Sequence, residues 1–260
     1  MPVAVITGSS SGIGLAIARR FAEDGFDIVL HGNRNLAGLQ AAASEIGGAT
    51  RCITADLSQV TACRNLVDTC YRWHSHIDVW VSNAGADVIS SDLARQSFDQ
   101  RLQALLDVDV RGTICVGRRV AQRYAESRAG RPASLINVSW DQAWLGMEGD
   151  AGQLFCPTKA ATAAFTRALA MSTESGLRVN CVAPGWIQTN WGEFNADDYW
   201  HTRATSESLS QRWGTPKDVA EAVFWLASPH SEFVNGQCLA INGGRRFYPQ
   251  SMDQRNAREG

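Results

Sequence analysis

The chain has 260 residues, 45% of them hydrophobic and 19% charged, enough to bury the core of one large α/β domain without disulfides or metals. A formal net charge of −2 and a pI near 6.2 give no electrostatic reason for a nucleic acid or an anionic membrane as partner, and favour a small-molecule ligand. The seven cysteines, Cys52, Cys63, Cys70, Cys115, Cys156, Cys181 and Cys238, are odd in number and scattered. They form no zinc-ligand pattern and read as small thiols of a reducing compartment, so no metal site is expected. No apolar run approaches the roughly 20 residues of a membrane span, and Met1 to Thr7 reads as a strand rather than a leader. The expected location is cytoplasmic.

Short runs rich in β-branched residues alternate with longer amphipathic stretches. In chain order the pattern predicts a strand at Val3–Thr7, a helix at Ile13–Asp24, a strand at Asp27–His31, a helix at Ala37–Ile46, a strand at Thr50–Ala55 and a helix at Gln59–Trp73. It continues with a strand at Ile77–Ser82, a long helix at Ser97–Ser127, a strand at Ser134–Ser139 and a helix at Ala160–Thr173. Strands at Arg178–Val182 and Gln237–Ile241 flank a last helix at Pro216–Ala227. This alternation predicts an α/β fold, a doubly wound parallel sheet covered by helices on both faces. The segment from Trp186 to Gly214 is long, polar and dotted with aromatics, and its residues 190–212 are read as a substrate lid; residues 245–260 read as a polar tail.

The first strand runs into Thr7, Gly8, Ser9, Ser10, Ser11, Gly12, Ile13 and Gly14 and then into a helix. Glycines there let the backbone turn tightly and approach a pyrophosphate, which the following helix N-terminus favours. A glycine loop alone also serves as a plain turn; its place at the first strand-to-helix junction makes it a dinucleotide signal.

With this loop, the chain resembles the classical short-chain dehydrogenase/reductase family from Val3 to about Gly244. Asp56-Leu57 follows the third strand, Asn83-Ala84-Gly85 the fourth, and Pro184-Gly185-Trp186-Ile187-Gln188-Thr189 the sixth, all in the family's order. The resemblance implies a seven-stranded Rossmann-like domain of three layers over residues 1–244. It also implies a homotetramer or homodimer, and a nicotinamide cofactor contacted near Asp56, Asn83 and the Pro184 to Thr189 turn. After the second strand the chain has Gly32, Asn33 and Arg34 and no carboxylate for a ribose hydroxyl, so NADP(H) is favoured over NAD(H). Arg34 also fits a solvated loop residue.

The resemblance further implies a hydride transfer at a carbonyl or alcohol carbon, aided by a tyrosine, a lysine, a serine and an asparagine. Lys159 matches the lysine. Phe155 stands at the tyrosine position, Trp140 at the serine position, and Asp109 replaces the asparagine. The spacing from Trp140 to Phe155 exceeds the family's usual one, which keeps Ser139 as an alternative to Trp140. Three readings remain open. In the first, an oxidoreductase draws its proton from elsewhere, with Asp141 first, then Glu148, Asp150 or Tyr199; Asp141 is equally a turn carboxylate. In the second, a nucleotide-binding protein has lost its chemistry, with Asp109 paired to Lys159. In the third, Cys156 acts as a nucleophile, although no histidine lies near it in sequence.

Overall fold

Seven parallel strands, in the order β3-β2-β1-β4-β5-β6-β7, form the central sheet. The structure is a computed structural model that describes residues 1–127, 130–189 and 197–246. The strands are β1 (Val3–Thr7), β2 (Asp27–Gly32), β3 (Thr50–Thr54), β4 (Val79–Ser82), β5 (Ala133–Val138), β6 (Leu177–Pro184) and β7 (Cys238–Ile241). Successive side chains point to opposite faces of a strand, and the apolar runs use both. Ala4 and Ile6 of β1, Ile28 and Leu30 of β2, and Val79 and Val81 of β4 enter one core, whereas Val5, Val29 and Trp80 enter the other. The first core is closed by α1 (Gly12–Glu23), α2 (Leu36–Ile46) and α9 (Pro216–Ala227), the second by α3 (Val60–Trp73), α5 (Thr113–Ser127) and α7 (Gly149–Ala170). The expected doubly wound, three-layered Rossmann-like fold is therefore present.

Strand order reverses between β1 and β4, which opens a crevice at their C-terminal ends, where ligands of such sheets bind. Three differences from the sequence reading shape what lies there. The long helix expected at Ser97–Ser127 is α4 (Phe98–Leu105), a wide π-helical turn over Leu106–Gly112, and α5. Gly112 allows this turn to lie against the connection between β3 and α3, since a Cβ there would stand 2.7 Å from the Leu57 carbonyl oxygen. Helix α7 starts at Gly149 rather than Ala160 and carries Pro157 in its interior. A proline within a helix forfeits one main-chain bond, yet Thr158 Oγ1 ties this turn together by donating to the Leu154 and Phe155 carbonyls, each at 3.1 Å. A short helix α6 (Gln142–Leu145) fills the connection before it.

The expected lid contains a helix, α8 (Asp198–Glu207), capped by Asp197, whose side chain accepts from Trp200 N at 3.2 Å. Residues 190–196 of that lid and 247–260 of the expected tail lie outside the described residues. Among the described residues no helix is long and apolar enough to cross a membrane.

Candidate active site

The glycine loop is locked from below by polar contacts. Thr7 Oγ1 accepts from Asn83 N at 3.0 Å and Ala84 N at 3.1 Å, and Asn83 Nδ2 donates to the Thr7 and Gly8 carbonyls, both at 3.0 Å. The glycines are needed for close approach: a Cβ on Gly14 would lie 2.2 Å from the Gly8 oxygen, and Gly8 and Gly12 have φ of 65° and 57°. A Cβ on Gly12 would instead point across the crevice toward Thr189, 3.8 Å away. Ser11 caps α1 without a side-chain bond, and the first turn holds no acidic residue. The N–H groups of this helix end are thus left for an anion, which the helix dipole favours.

His31, at the end of β2, supports the loop from the side. Its Nδ1 accepts from Gly8 N at 3.3 Å and its Nε2 donates to the Ala55 carbonyl at 3.0 Å. That pair of bonds requires the neutral ring with hydrogen on Nε2. Burial pushes the imidazole down to about 4, against a smaller opposing effect of the Ala55 carbonyl. Asn33 and Arg34 stand exposed beyond it. Asp56 turns its Oδ1 to Ser58 N and Oγ, at 3.0 and 2.7 Å, and Leu57 is buried beside it.

The positions carried over from the tyrosine, serine, lysine and asparagine converge on the same crevice. The π-helical turn aims Asp109 inward, where Oδ1 accepts from Ala86 N at 2.7 Å and Oδ2 pairs with Lys159 Nζ at 2.9 Å. The Asp109 side chain is 1% exposed and that of Lys159 15%. Gly85 makes room, since a Cβ there would lie 2.8 Å from Asp109 Oδ2. Ser139 is buried and its Oγ donates to the Lys159 carbonyl at 2.7 Å, so its hydrogen holds β5 to α7. Trp140 and Phe155 meet edge to face at 6.2 Å between centroids. Phe155 also packs against the apolar cluster of Val88, Leu105 and Leu154.

Of the residues weighed as replacement acids, Asp150 lines the same cavity, with its Oδ2 2.7 Å from Arg101 Nη2, whereas Asp141, Glu148 and Tyr199 lie elsewhere. Asp141 is 2% exposed, but it lines a small separate cavity with Glu207, Asn242 and Arg245. Its Oδ2 accepts from Asn242 Nδ2 at 3.0 Å and lies 3.8 Å from Arg245 Nη1. Burial raises its carboxyl above the usual range, and the Asn242 bond and Arg245 oppose this. The Gly185 backbone intervenes between it and the main crevice, because a Cβ on Gly185 would approach Asp141 Oδ2 to 3.3 Å. Tyr199 is exposed and donates its hydroxyl to Glu148 Oε1 at 3.2 Å; Glu148 also pairs with Arg203. The Cys156 thiol is pushed up by burial, which disfavours a thiolate nucleophile.

Above the crevice opens a cavity of about 710 Å³, lined by Ile13, Asn83, Lys159 and the Pro184–Thr189 turn. Its wall is also aromatic: Trp186 contacts Trp140, Trp200 and Trp213 at centroid distances of 6.3, 5.3 and 6.3 Å. Trp213, Met147 and Arg101 line it too, and none was singled out from the sequence. The roles of His31 and Ser9, whose Oγ accepts from His31 N at 3.0 Å, were likewise invisible, because they depend on the register of β1 against β2.

Residues 8–246 match the family model described as Enoyl-(Acyl carrier protein) reductase, and the chain is 33% identical to 3beta-hydroxysteroid dehydrogenase 1 of Eggerthella lenta, over 94% of each chain. The chain belongs to the classical short-chain dehydrogenase/reductase family. It is therefore related to oxidoreductases over nearly its whole length. Among solved short-chain dehydrogenases, one from Burkholderia cenocepacia in complex with NADP superposes with a TM-score of 0.81 at 29% identity, covering 94% of this chain and 97% of that one. A 3-ketoacyl-(acyl-carrier-protein) reductase from Brucella melitensis complexed with NADH gives 0.82 at 27%, covering 94% and 98%.

Proposed function

We propose that this short-chain dehydrogenase/reductase interconverts a carbonyl, or an imine, and its reduced form with NADP(H), and that Lys159 rather than a phenol at position 155 moves the proton. The observation that carries this reading is the Asp109–Lys159 pair, set in the wall of the cavity where Phe155 and Trp140 offer no transferable proton.

The glycine loop, the α1 N-terminus and Thr189 suit a pyrophosphate and a carboxamide, as their steric clearance supports. Lys159 suits a ribose hydroxyl, and Arg34 a 2′-phosphate. When bound, the nicotinamide would supply or take up the hydride. The protein's own share is position and proton. Asp109 fixes the direction of the Lys159 side chain, and one ammonium N–H of Lys159 passes to the substrate oxygen as the carbonyl π pair becomes a lone pair there. Solvent restores that proton after release. Trp140 and Phe155 exclude water from the reacting carbon. Asp141 holds Asn242 and Arg245 behind the Gly185 backbone and acts as a positioning group. Membership of the family suits a homotetramer or homodimer, which sedimentation of the purified chain tests.

A second reading has a specific observation in its favour. Asp109 neutralises Lys159, so the same site also suits a protein that holds the nucleotide without turning over. The two separate in one experiment. With NADPH binding measured by titration, a panel of ketones, imines and alcohols is screened with wild type, Lys159→Ala and Phe155→Tyr. Turnover by wild type that Lys159→Ala abolishes supports the enzyme. Binding without turnover, with activity appearing only in Phe155→Tyr, refutes Lys159 as proton source and supports the nucleotide-binding reading. NADPH binding no tighter than NADH binding, unchanged in Arg34→Leu, refutes the cofactor preference.

A further inference from the structure

The outer end of the cavity holds one cation that the chemistry above leaves unused. Arg101, on α4, lines the cavity and its side chain is 17% exposed. Its Nη2 meets Asp150 Oδ2 at 2.7 Å, whereas its Nε is buried with no hydrogen-bond partner among the described residues. A buried N–H without an acceptor is costly. Asp150 is a poor explanation for the arginine, because its side chain is 63% exposed and a wet carboxylate binds weakly. Asp150 also belongs to the first turn of α7, whose cap Glu148 makes no side-chain bond to the helix. Asp150 therefore also serves the positive end of that helix dipole. The same cavity wall carries the rings of Trp140, Phe155, Trp186 and Trp213.

We propose that Arg101 is a specificity-determining residue that accepts the carboxylate of a substrate whose body is flat and apolar. Such a molecule gives Arg101 Nε its missing acceptor, displaces or shares the place of Asp150, and lays its rings against the tryptophans. Guanidinium and carboxylate match in shape, which a neutral ester does not reproduce. The proposal rests on the preceding reading only in treating the cavity as the substrate site.

Binding, rather than turnover, tests it. Calorimetric titrations of the NADP⁺-saturated protein use 2-naphthylacetate and its methyl ester as probes. Wild type is expected to bind the acid about ten-fold or more tighter than the ester. Arg101→Gln should remove that preference while leaving the ester's affinity unchanged, and Asp150→Asn should strengthen the acid by several-fold. NADP⁺ affinity and thermal midpoint of each variant verify that the fold is kept. Equal affinity of wild type for both probes, no binding of either, or equal loss of both in Arg101→Gln overturns the proposal while leaving the cofactor reading intact. Absence of NADP⁺ binding to wild type instead refutes the oxidoreductase reading, and the probes titrated into the protein alone then decide the role of Arg101.

Discussion

Replacing His31 with glutamine should flatten the acid side of the stability profile. The folded ring is held neutral by burial, against the smaller opposing effect of the Ala55 carbonyl, with its pKa lowered from 6.5 to about 4, and its Nδ1 accepts from Gly8 N. In the unfolded chain it takes up a proton below about 6.5. Stability from this residue is therefore fully present above pH 6.5 and is lost as pH falls toward 4, because the unfolded state then binds the extra proton. At about 1.4 kcal/mol per pH unit the whole loss is about 3 kcal/mol, and about 2 kcal/mol of it falls between pH 7 and pH 5. Urea unfolding of wild type and His31→Gln at several pH values and fixed ionic strength measures the difference in slope. This difference is insensitive to any constant destabilisation by the substitution. At pH 5 the folded ring is still mainly neutral, so NADPH affinity should change little through this residue. Parallel slopes for the two proteins, or a histidine resonance for His31 titrating near 6.5, would refute the reasoning.

Asp109→Ala strands the Lys159 ammonium and the Ala86 N–H together, and should cost about 3 kcal/mol or more in denaturant unfolding; Asp109→Asn, which keeps the acceptor for Ala86, should recover part of that. Gly14→Ala places a Cβ 2.2 Å from the Gly8 oxygen and 2.6 Å from Asn83 Nδ2. It should weaken NADPH binding by about 1.4 kcal/mol or more, a ten-fold change read by titration, and unchanged affinity would mean that the loop does not form the phosphate contact.

The sheet was legible because its inner strands are buried on both faces, so their apolar character depends little on distant contacts. Asn83 and the glycines were legible for a similar reason: the turn they make is local. What failed was anything decided by a neighbour far along the chain. The helix expected from Ala160 instead begins at Gly149 and bears Pro157 in its interior, where the Thr158 hydroxyl bonds to the main chain. The break at Leu106–Gly112 carries no glycine or proline until its last residue, and the close approach of Gly112 to Leu57 shows only in the fold. Asp141 stood beside Trp140 in sequence, one step from the crevice. The backbone turn between them sends one ring into the cavity and the carboxylate behind Gly185, a sorting that spacing alone does not reveal. Asp109 was identified from its motif, yet its bond to Ala86 awaited the fold.

Arg203 ties α8 to the rest of the site through two unequal links. Its Nε meets Glu207 Oε1 at 2.7 Å, within α8, and Glu207 in turn accepts from Trp186 Nε1 at 3.0 Å and pairs with Arg245 at 3.3 Å. Its other arm reaches Glu148, whose side chain is 67% exposed, against 18% for Glu207. Dissolved ions screen the wet link far more than the dry one. Rising ionic strength should accordingly loosen the N-terminal half of α8 before its C-terminal half, so that the helix swings like a door hung at Glu207 and the dissociation rate of even an uncharged cavity ligand acquires a dependence on salt.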